Sequence, residues 1–386
     1  MYNFTFEIPT RIHFGQGQLK RLRELKESGS EVLLVYGGGS IKRSGLYDDV
    51  LKILREAGLG VFELSGVEPN PRIESVRKGV RLCRENGIDM VLAVGGGSVI
   101  DCAKVTAAGA KYDGDAWDLV IDPSKITAAL PVYAVLTIAA TGSEMDSFAV
   151  ISDLSRNEKW GTGSPLFTPK MSILDPSYTF SVSRRQTAAG TADIMSHTFE
   201  NYFTTEEGFL QARFCEAVLK TCIHYGPVAL KDPENYEARA NLMWASSWAI
   251  NGTLNAGCGV NWCVHPMEHE LSAFYDITHG QGLAILTPHW MEYVLSADTV
   301  DKFAEYGVNV WDLDPKADKW LNAREAIERT RRFFKDALEI PMTLREVGIT
   351  TQEKFEIMAE KAAAGCEGCY VPLKKEDIVK IYQAAF

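Results

Sequence analysis

Residues 89–110 read DMVLAVGGGSVIDCAKVTAAGA and join a short apolar run, a run of glycines and a helix-like stretch. A strand that ends in glycines and leads into a helix lets backbone N–H groups approach a phosphate at the positive end of the helix dipole. A second turn of this kind follows the apolar run EVLLVY at 31–36. The two turns consist of Gly95, Gly96, Gly97 and Ser98, and of Gly37, Gly38, Gly39 and Ser40. Together they predict a cradle for a pyrophosphate.

The glycine turns do not match the common nucleotide-binding patterns. Neither fits GxxxxGK(S/T), which argues against an ATP-hydrolysing P-loop, and neither is a GxGxxG fingerprint. Taken singly, each turn is also compatible with a plain tight turn that binds nothing. Two such turns in one parallel-sheet domain, together with the metal-ligand pattern described below, favour a dinucleotide ligand.

The character of the sequence changes near residue 180. Before it, apolar runs such as GVFELSG (60–66) and PVYAVLTI (131–138) alternate with amphipathic stretches such as LYDDVLKILREAG (46–58). This alternation is typical of βαβ units and a parallel sheet. After it, long helical patterns dominate, for example AREAIERTRRFFKDALE at 323–339. We therefore predict an α/β dinucleotide-binding domain over residues 1–180 and an all-helical, metal-binding domain over residues 181–386.

Histidines and one aspartate recur at helical spacing in the second half of the chain. The pattern is Asp193-x3-His197, then His265-x3-His269, then His279. Residues four apart on a helix project from the same face, close enough to grip one ion. Three imidazoles and a carboxylate suit Fe2+ or Zn2+, whereas Mg2+ prefers oxygen ligands. The alternative is that these are ordinary core or surface histidines, and the spacing alone does not decide which of them bind the metal.

Composition narrows the possible functions. The net charge of −11 without a cluster of Lys and Arg argues against a nucleic-acid partner. No signal-peptide pattern or membrane-length apolar run is visible, so we expect no membrane partner and a cytoplasmic location. The eight cysteines are scattered and do not resemble a secreted disulfide framework. Only Cys366 and Cys369 have a suggestive spacing, and a lone CxxC lacks the second pair of a structural zinc site.

Six segments together resemble the iron-containing (group III) alcohol dehydrogenase family over essentially the whole chain. Within that family the similarity is to the butanol dehydrogenases and broad-specificity aldehyde reductases. The segments are YGGGS (36–40), GVEPNP (66–71), AVGGGSVID (93–101), LTIAATGSE (136–144), AGTADIMSHTFE (189–200) and WCVHPMEHELSAFYDITHGQG (262–282). The last two are specific motifs, and the glycine turns are less so.

The resemblance implies an architecture like that of dehydroquinate synthase, with metal and nicotinamide meeting between the two domains. It implies a metal held by Asp193, His197, His265 and His279. It puts His269 near the substrate rather than on the metal, and it suggests a homodimer. For the cofactor it implies the pyrophosphate on Gly96, Gly97 and Ser98 with Asp101 just beyond, Thr137 and Thr141 on the nicotinamide side, and Lys159 and Tyr178 beside the ribose.

The expected activity is the interconversion of short-chain primary alcohols, such as butanol, and their aldehydes with NAD(P)(H). We expect NADP(H) to be favoured over NAD(H), because Lys42 and Arg43 follow the first glycine turn where a carboxylate would repel a 2′-phosphate. His269 is a candidate proton relay, with a simple pocket-wall residue as the alternative. A glycerol-type polyol dehydrogenase, a sugar-phosphate cyclising lyase of the same fold and a non-enzymatic metal-binding protein remain as other possibilities.

Overall fold

The computed structural model describes residues 1–386, in which eight strands and fourteen α-helices alternate and then give way to helices alone. The strands are β1 (Arg11–Phe14), β2 (Glu31–Tyr36), β3 (Gly60–Leu64), β4 (Met90–Gly95), β5 (Val132–Leu136), β6 (Phe148–Asp153), β7 (Glu158–Gly163) and β8 (Met171–Leu174). The helices of the first half are α1 (Ser40–Arg43), α2 (Leu46–Glu56), α3 (Ile73–Glu85), α4 (Gly97–Gly109) and α5 (Ala116–Ile121).

Nine further α-helices follow. They are α6 (Arg184–Tyr202), α7 (Phe209–Lys231), α8 (Tyr236–Ile250), α9 (Val264–Tyr275), α10 (His279–Val294), α11 (Val300–Trp311), α12 (Lys319–Arg332), α13 (Phe355–Cys366) and α14 (Lys375–Ala384). Short 3-10 segments lie at Gln18–Glu27, Pro123–Lys125, Ser143–Met145, Pro165–Phe167 and Pro176–Thr179, and a π-helical turn at Phe333–Ala337. No helix is long and apolar enough to cross a membrane. The cytoplasmic location expected from the sequence stays a prediction.

The chain forms two compact units. The first, here called the sheet unit, contains Glu7–Val182 together with Pro233–Asn251. The second, the helical unit, contains Met1–Phe6, Ser183–Asp232 and Gly252–Phe386. The α/β and all-helical fold expected from the sequence is confirmed, with helix α8 packed in the sheet unit. The division into domains at residues 180 and 181 stays a prediction.

A six-stranded parallel sheet forms the centre of the sheet unit, in the order β1-β8-β5-β4-β2-β3. In β4, Val91 and Ala93 pack into one apolar core and Leu92 and Val94 into another. Because successive side chains of a strand point to opposite faces, the sheet is covered on both sides. This explains why β4 is a continuous apolar run. Strands β6 and β7 form a separate antiparallel pair, which the expected βαβ alternation does not include.

Helix α6 is buried along almost its whole length within the helical unit, from Thr187 to Tyr202. It begins at Arg184, where the Ser183 hydroxyl accepts a hydrogen bond from the Gln186 N–H at 3.3 Å. Ser, Thr, Asp and Asn are favoured before a helix for this reason. A helix that is buried all round forms the centre of its unit. Polar side chains between Thr187 and Tyr202 are therefore held away from water.

Candidate metal and cofactor sites

Two polar side chains of α6 face each other in the interior of the helical unit. Asp193 and His197 are both buried, and Asp193 Oδ1 lies 3.3 Å from His197 Nδ1. Their spacing places them one turn apart on one face of the helix, as the sequence predicted. Each is about 5% exposed or less, so water does not solvate the charge of the carboxylate.

Two more imidazoles come from the first turns of α9 and α10. The Nε2 atom of His265, at the start of α9, is 3.8 Å from Asp193 Oδ1. The Nε2 atom of His279, the first residue of α10, is also 3.8 Å from that oxygen. Pro266 is tolerated because it stands in the first turn of its helix, where no intrahelical N–H is lost. Three imidazoles thus converge on a single carboxylate oxygen.

The converging atoms are too far apart to satisfy one another. Distances of 3.3 to 3.8 Å exceed those of normal N–H···O bonds. Asp193 Oδ1 and His265 Nε2 are buried without any hydrogen-bond partner. Such groups cost about 1–3 kcal/mol each when left unsatisfied. A divalent cation among one carboxylate and three imidazoles would satisfy them, and this donor set suits Fe2+ or Zn2+. The residues present therefore fit a metal ion.

The protonation of the cluster follows from its mixed charges. Burial is the largest influence on Asp193 and raises its pKa, but the neighbouring imidazoles lower the pKa more, to about 2. Burial alone would lower the pKa of His265. The Glu200 and Asp193 carboxylates have the larger combined effect and raise this pKa to about 10. The carboxylates of Glu200 and Asp193 thus favour a positive charge at or beside the His265 imidazole. Because a metal and a proton compete for the same imidazole lone pair, this positive charge can be a bound cation.

Two buried glutamates belong to the cluster and were missed by the sequence analysis. A carboxylate oxygen of Glu200, on α6, forms a hydrogen bond with His265 Nδ1. A carboxylate oxygen of Glu268, on α9, forms one with His279 Nδ1. The available signal was the spacing, since each glutamate follows a histidine by three residues, as in His197-x2-Glu200 and His265-x2-Glu268. Residues three apart share a helix face, so both glutamates point toward the same region as the preceding histidine.

His269 lies beside the converging imidazoles and is only half-buried. The centre of its ring is 6.2 Å from that of His265 and 5.6 Å from that of His279. Ligand atoms of Glu268, His269 and His279 lie within 4.8 Å of one another, and so do those of Asp193, His197 and His265. Only the second of these groups is buried throughout. Solvent therefore reaches His269 more readily than it reaches the buried His197 and His265.

One glycine allows His279 to approach Asp193. A Cβ atom added at Gly280 would lie 2.0 Å from the backbone oxygen of Ala189 on α6. Because two backbones meet here, no side chain could move aside to make room. Gly280 therefore permits the close approach of α10 and α6 that brings their ligand-type side chains together.

The glycines after β4 lie against the end of β5 in the sheet unit. Gly95 ends β4, Gly96 precedes α4, and Gly97 is the first residue of that helix. A Cβ atom at Gly97 would lie 2.2 Å from Thr141 Oγ1, so the threonine packs directly on the glycine. The Thr137 N–H donates to the Gly95 carbonyl at 3.0 Å. The structure thus brings Gly95, Gly96, Gly97, Thr137 and Thr141 together at the carboxyl ends of neighbouring strands, where parallel sheets bind ligands.

The turn after β2 has a different character. Gly39 adopts φ +100°, a left-handed conformation that favours glycine, and it leads into the single turn α1. Gly38 and Ser40 are exposed. The Lys42 ammonium lies 5.0 Å from the ring centre of Tyr36 and 4.5 Å from that of Tyr47. Both of these tyrosines donate hydroxyl hydrogen bonds to Glu63, at 2.6 and 2.8 Å.

The remaining expected cofactor residues lie in varied surroundings. Asp101 is buried, and its carboxylate accepts from Ser143 Oγ at 2.6 Å and from the Val150 N–H at 2.9 Å. Burial raises the pKa of Asp101 to about 6. Lys159 is buried on β7, opposite Ser152 of β6. Tyr178 is half-buried, and burial raises its pKa to about 12. Asp101 therefore takes part in a hydrogen-bond network within the protein, and a role toward the cofactor stays a prediction for all three.

The CxxC pair supports the chain near the start of α9. The Cys366 thiol donates to the carbonyl of Cys263 at 3.5 Å and the Cys369 thiol to that of Trp262 at 3.3 Å. All eight cysteines are free. The pair thus packs beside the helix that carries His265.

Comparison with known proteins places these features in context. Residues 9–176 match the model of iron-containing alcohol dehydrogenases, and residues 187–386 match the C-terminal model of the Fe-containing alcohol dehydrogenase family. NADH-dependent butanol dehydrogenase A of Clostridium acetobutylicum is 56% identical and covered in full, as is this chain. The NADPH-dependent aldehyde reductase YqhD of Escherichia coli is 42% identical, with 90% of each chain covered. The crystal structure of NADH-dependent butanol dehydrogenase A from Thermotoga maritima superposes with a TM-score of 0.94 at 38% identity, covering 100% of this chain and 99% of that one.

Proposed function

Because this chain belongs to the iron-containing alcohol dehydrogenase family, we propose that the convergence of Asp193, His197, His265 and His279 is its catalytic metal site. The protein is an NAD(P)-dependent oxidoreductase that interconverts short-chain primary alcohols, such as butanol, and their aldehydes. The observation that carries the proposed site is the buried Asp193 Oδ1, which faces three imidazoles without a hydrogen-bond partner. No observation favours the polyol dehydrogenase or lyase alternatives.

The protein residues would prepare the site for the chemistry. When bound, the metal supplies a Lewis acid that polarises the substrate oxygen, and the nicotinamide supplies or accepts the hydride. Asp193 contributes a buried negative charge, and the helix starts of α9 and α10 hold His265 and His279 in place. Burial of Asp193, His197 and His265 excludes water and strengthens their electrostatic interactions. We propose Fe2+ as the metal, with Zn2+ as the alternative that the same donor set accepts.

The cofactor site that we propose is the cradle after β4. Backbone N–H groups of Gly96, Gly97 and Ser98 would hold the pyrophosphate at the start of α4, a helix of thirteen residues. The absence of side chains at these glycines lets the ligand approach the backbone. The further residues of this proposal are Gly37, Gly38, Gly39, Ser40, Gly95, Asp101, Thr137, Thr141, Lys159 and Tyr178.

Removal of metal ligands tests the metal site. We expect Asp193→Ala and His265→Ala to lose the metal and, with it, reduction of butanal, because each removes one of four converging ligands. The helical content should remain largely intact. Elemental analysis and circular dichroism measure both effects. His224→Ala changes an exposed histidine of α7 and serves as the matched control. Undiminished metal in both site variants would rule out the ligand assignment.

We further propose that NADP(H) is preferred, because Lys42 and Arg43 follow the turn after β2 and no acidic residue lies within that turn. Similar proteins are named as NADH-dependent and as NADPH-dependent, so this choice rests on the turn itself. Loss of the cation in Lys42→Ala should lower kcat/KM for NADPH about tenfold, or about 1.4 kcal/mol, and leave NADH nearly unaffected. Lys52→Ala, on the exposed side of α2, is the control. A tenfold preference of the wild-type enzyme for NADH would contradict the proposal.

His269 is proposed as a proton relay. It is half-buried beside the imidazoles of His265 and His279, and a positioned general acid or base contributes about 10²–10⁴-fold to a rate. We expect His269→Ala to retain the metal and the cofactor while turnover falls by about 10²-fold. Steady-state kinetics and metal analysis of the same preparation separate the possibilities. Unchanged turnover would make His269 a wall residue, and loss of the metal would make it a ligand.

We also propose that the enzyme is a homodimer that uses its N-terminal segment. Tyr2, Phe4 and Phe6 are 54, 52 and 48% exposed, and a group of exposed apolar side chains marks a surface that a second chain can cover. Sedimentation equilibrium should give twice the mass of one chain. In the double variant Phe4→Ser with Phe6→Ser the mass should fall toward that of a monomer. A monomeric wild-type protein would contradict this proposal.

A further inference from the structure

The two glutamates next to the proposed ligands repeat one structural arrangement. Each lies on the same helix as one histidine of the cluster. Each contacts a second histidine, which stands at the start of another helix. Glu200 of α6 reaches His265 of α9, and Glu268 of α9 reaches His279 of α10. The arrangement joins three helices in series around Asp193.

Glu200 combines two tasks. Its Oε1 atom accepts the backbone N–H groups of Cys263, Val264 and His265 at 2.8, 2.6 and 3.0 Å. These N–H groups belong to the start of α9, where no side chain of α9 itself caps the helix. The Oε2 atom accepts from His265 Nδ1. Glu200 is 1% exposed, so its hydrogen bonds to the backbone and to the imidazole are both shielded from solvent.

The contact with Glu200 decides which nitrogen of His265 carries the proton. An ionised carboxylate only accepts hydrogen bonds, so Nδ1 must be the donor. In the neutral ring the lone pair is then on Nε2. That Nε2 atom lies 3.8 Å from Asp193 Oδ1 and has no hydrogen-bond partner.

Glu268 forms the corresponding hydrogen bond with His279. Its Oε2 atom accepts from His279 Nδ1, and its Oε1 atom accepts from the Ser272 hydroxyl. The glutamate is 0% exposed. The Nε2 atom of His279 is therefore left to face Asp193 Oδ1, at 3.8 Å. The lone pairs of two imidazoles are thus directed at one point by two carboxylates on different helices.

We propose that Glu200 and Glu268 are positioning residues that hold His265 and His279 in the Nδ1–H tautomer and thereby present both Nε2 lone pairs to the metal. This inference rests on the metal site proposed above. Such partners fix the orientation of a metal-binding imidazole and increase its basicity, and their loss typically weakens metal binding about 10–100-fold. They also place two further negative charges near the cation.

Replacement of each glutamate by glutamine distinguishes control of the histidine tautomer from simple packing. The side-chain oxygen of Gln at 200 can still accept the backbone N–H groups at the start of α9, so the helix remains capped. The amide nitrogen then occupies the place of Oε2 and donates toward His265 Nδ1. To accept this bond, the ring must move its proton to Nε2, the atom that faces the metal. A glutamate that only fills space or caps the helix would lose nothing by this change.

The affinity of the metal-free protein for Zn2+, measured by competition with a chromophoric chelator, tests the inference. We expect about 10–100-fold weaker binding in Glu200→Gln and in Glu268→Gln. Glu216→Gln is the matched control, because Glu216 is also buried in the helical unit but bonds Tyr202 and Arg213 instead. Unchanged affinity in both site variants would overturn the inference.

Two further measurements distinguish a change of tautomer from a loss of the fold. Nitrogen-15 spectra of the histidine rings in the Zn2+-loaded protein should show His265 and His279 with the proton on Nδ1. Thermal unfolding of the metal-free variants shows whether the fold persists, and Glu268→Gln supplies the test should Glu200→Gln unfold. A proton on Nε2 of both rings would overturn the inference. A wild-type protein that binds no Zn2+ and no Fe2+ would instead overturn the proposed metal site itself.

Discussion

The centre of the helical unit is arranged around a buried carboxylate oxygen that the neighbouring side chains leave without a hydrogen bond. Asp193 Oδ1 faces the nitrogens of His197, His265 and His279 at 3.3 to 3.8 Å and has no hydrogen-bond partner. Leaving a charged group in this condition is costly unless something pairs with it. A fold that keeps such a group in its interior is organised around what binds there. The proposed metal site follows from this constraint.

Several features of the surrounding chain serve to bring these atoms together. Gly280 lets the backbones of α10 and α6 approach, and Pro266 is placed where the first turn of α9 tolerates it. Glu200 satisfies the N–H groups that begin α9 and bonds the imidazole that this turn carries. Helix starts are well suited to this task, because their free N–H groups can be held by a side chain from another helix. The site is therefore built from helix termini as much as from helix faces.

Much of this architecture could be predicted from the sequence, because its signals are local. The run at 31–36 is β2 itself, and the stretch at 46–58 contains α2. The spacing of Asp193 and His197 placed both on one face of α6. The four-residue strands β1 and β8 carry too few residues for a periodic signal, and their pairing joins Arg11 to Met171 from opposite ends of the sheet unit's main segment. The spacing of Glu200 from His197 and of Glu268 from His265 indicates only a shared helix face. The imidazoles that the two glutamates contact lie on other helices, which is why both were missed. The packing of α8 in the sheet unit is likewise a tertiary contact that its helical pattern does not reveal.

Reconstitution of the metal-free enzyme tests the central claim most directly. The protein would be stripped with a chelator and reloaded separately with Fe2+ and with Zn2+. The oxidation of NADPH by butanal would then be followed through the absorbance of the reduced nicotinamide. The account predicts no turnover without metal and its return with at least one of the two ions, at one ion per chain. Full turnover by the metal-free protein would contradict the claim that the convergence on Asp193 is a catalytic metal site.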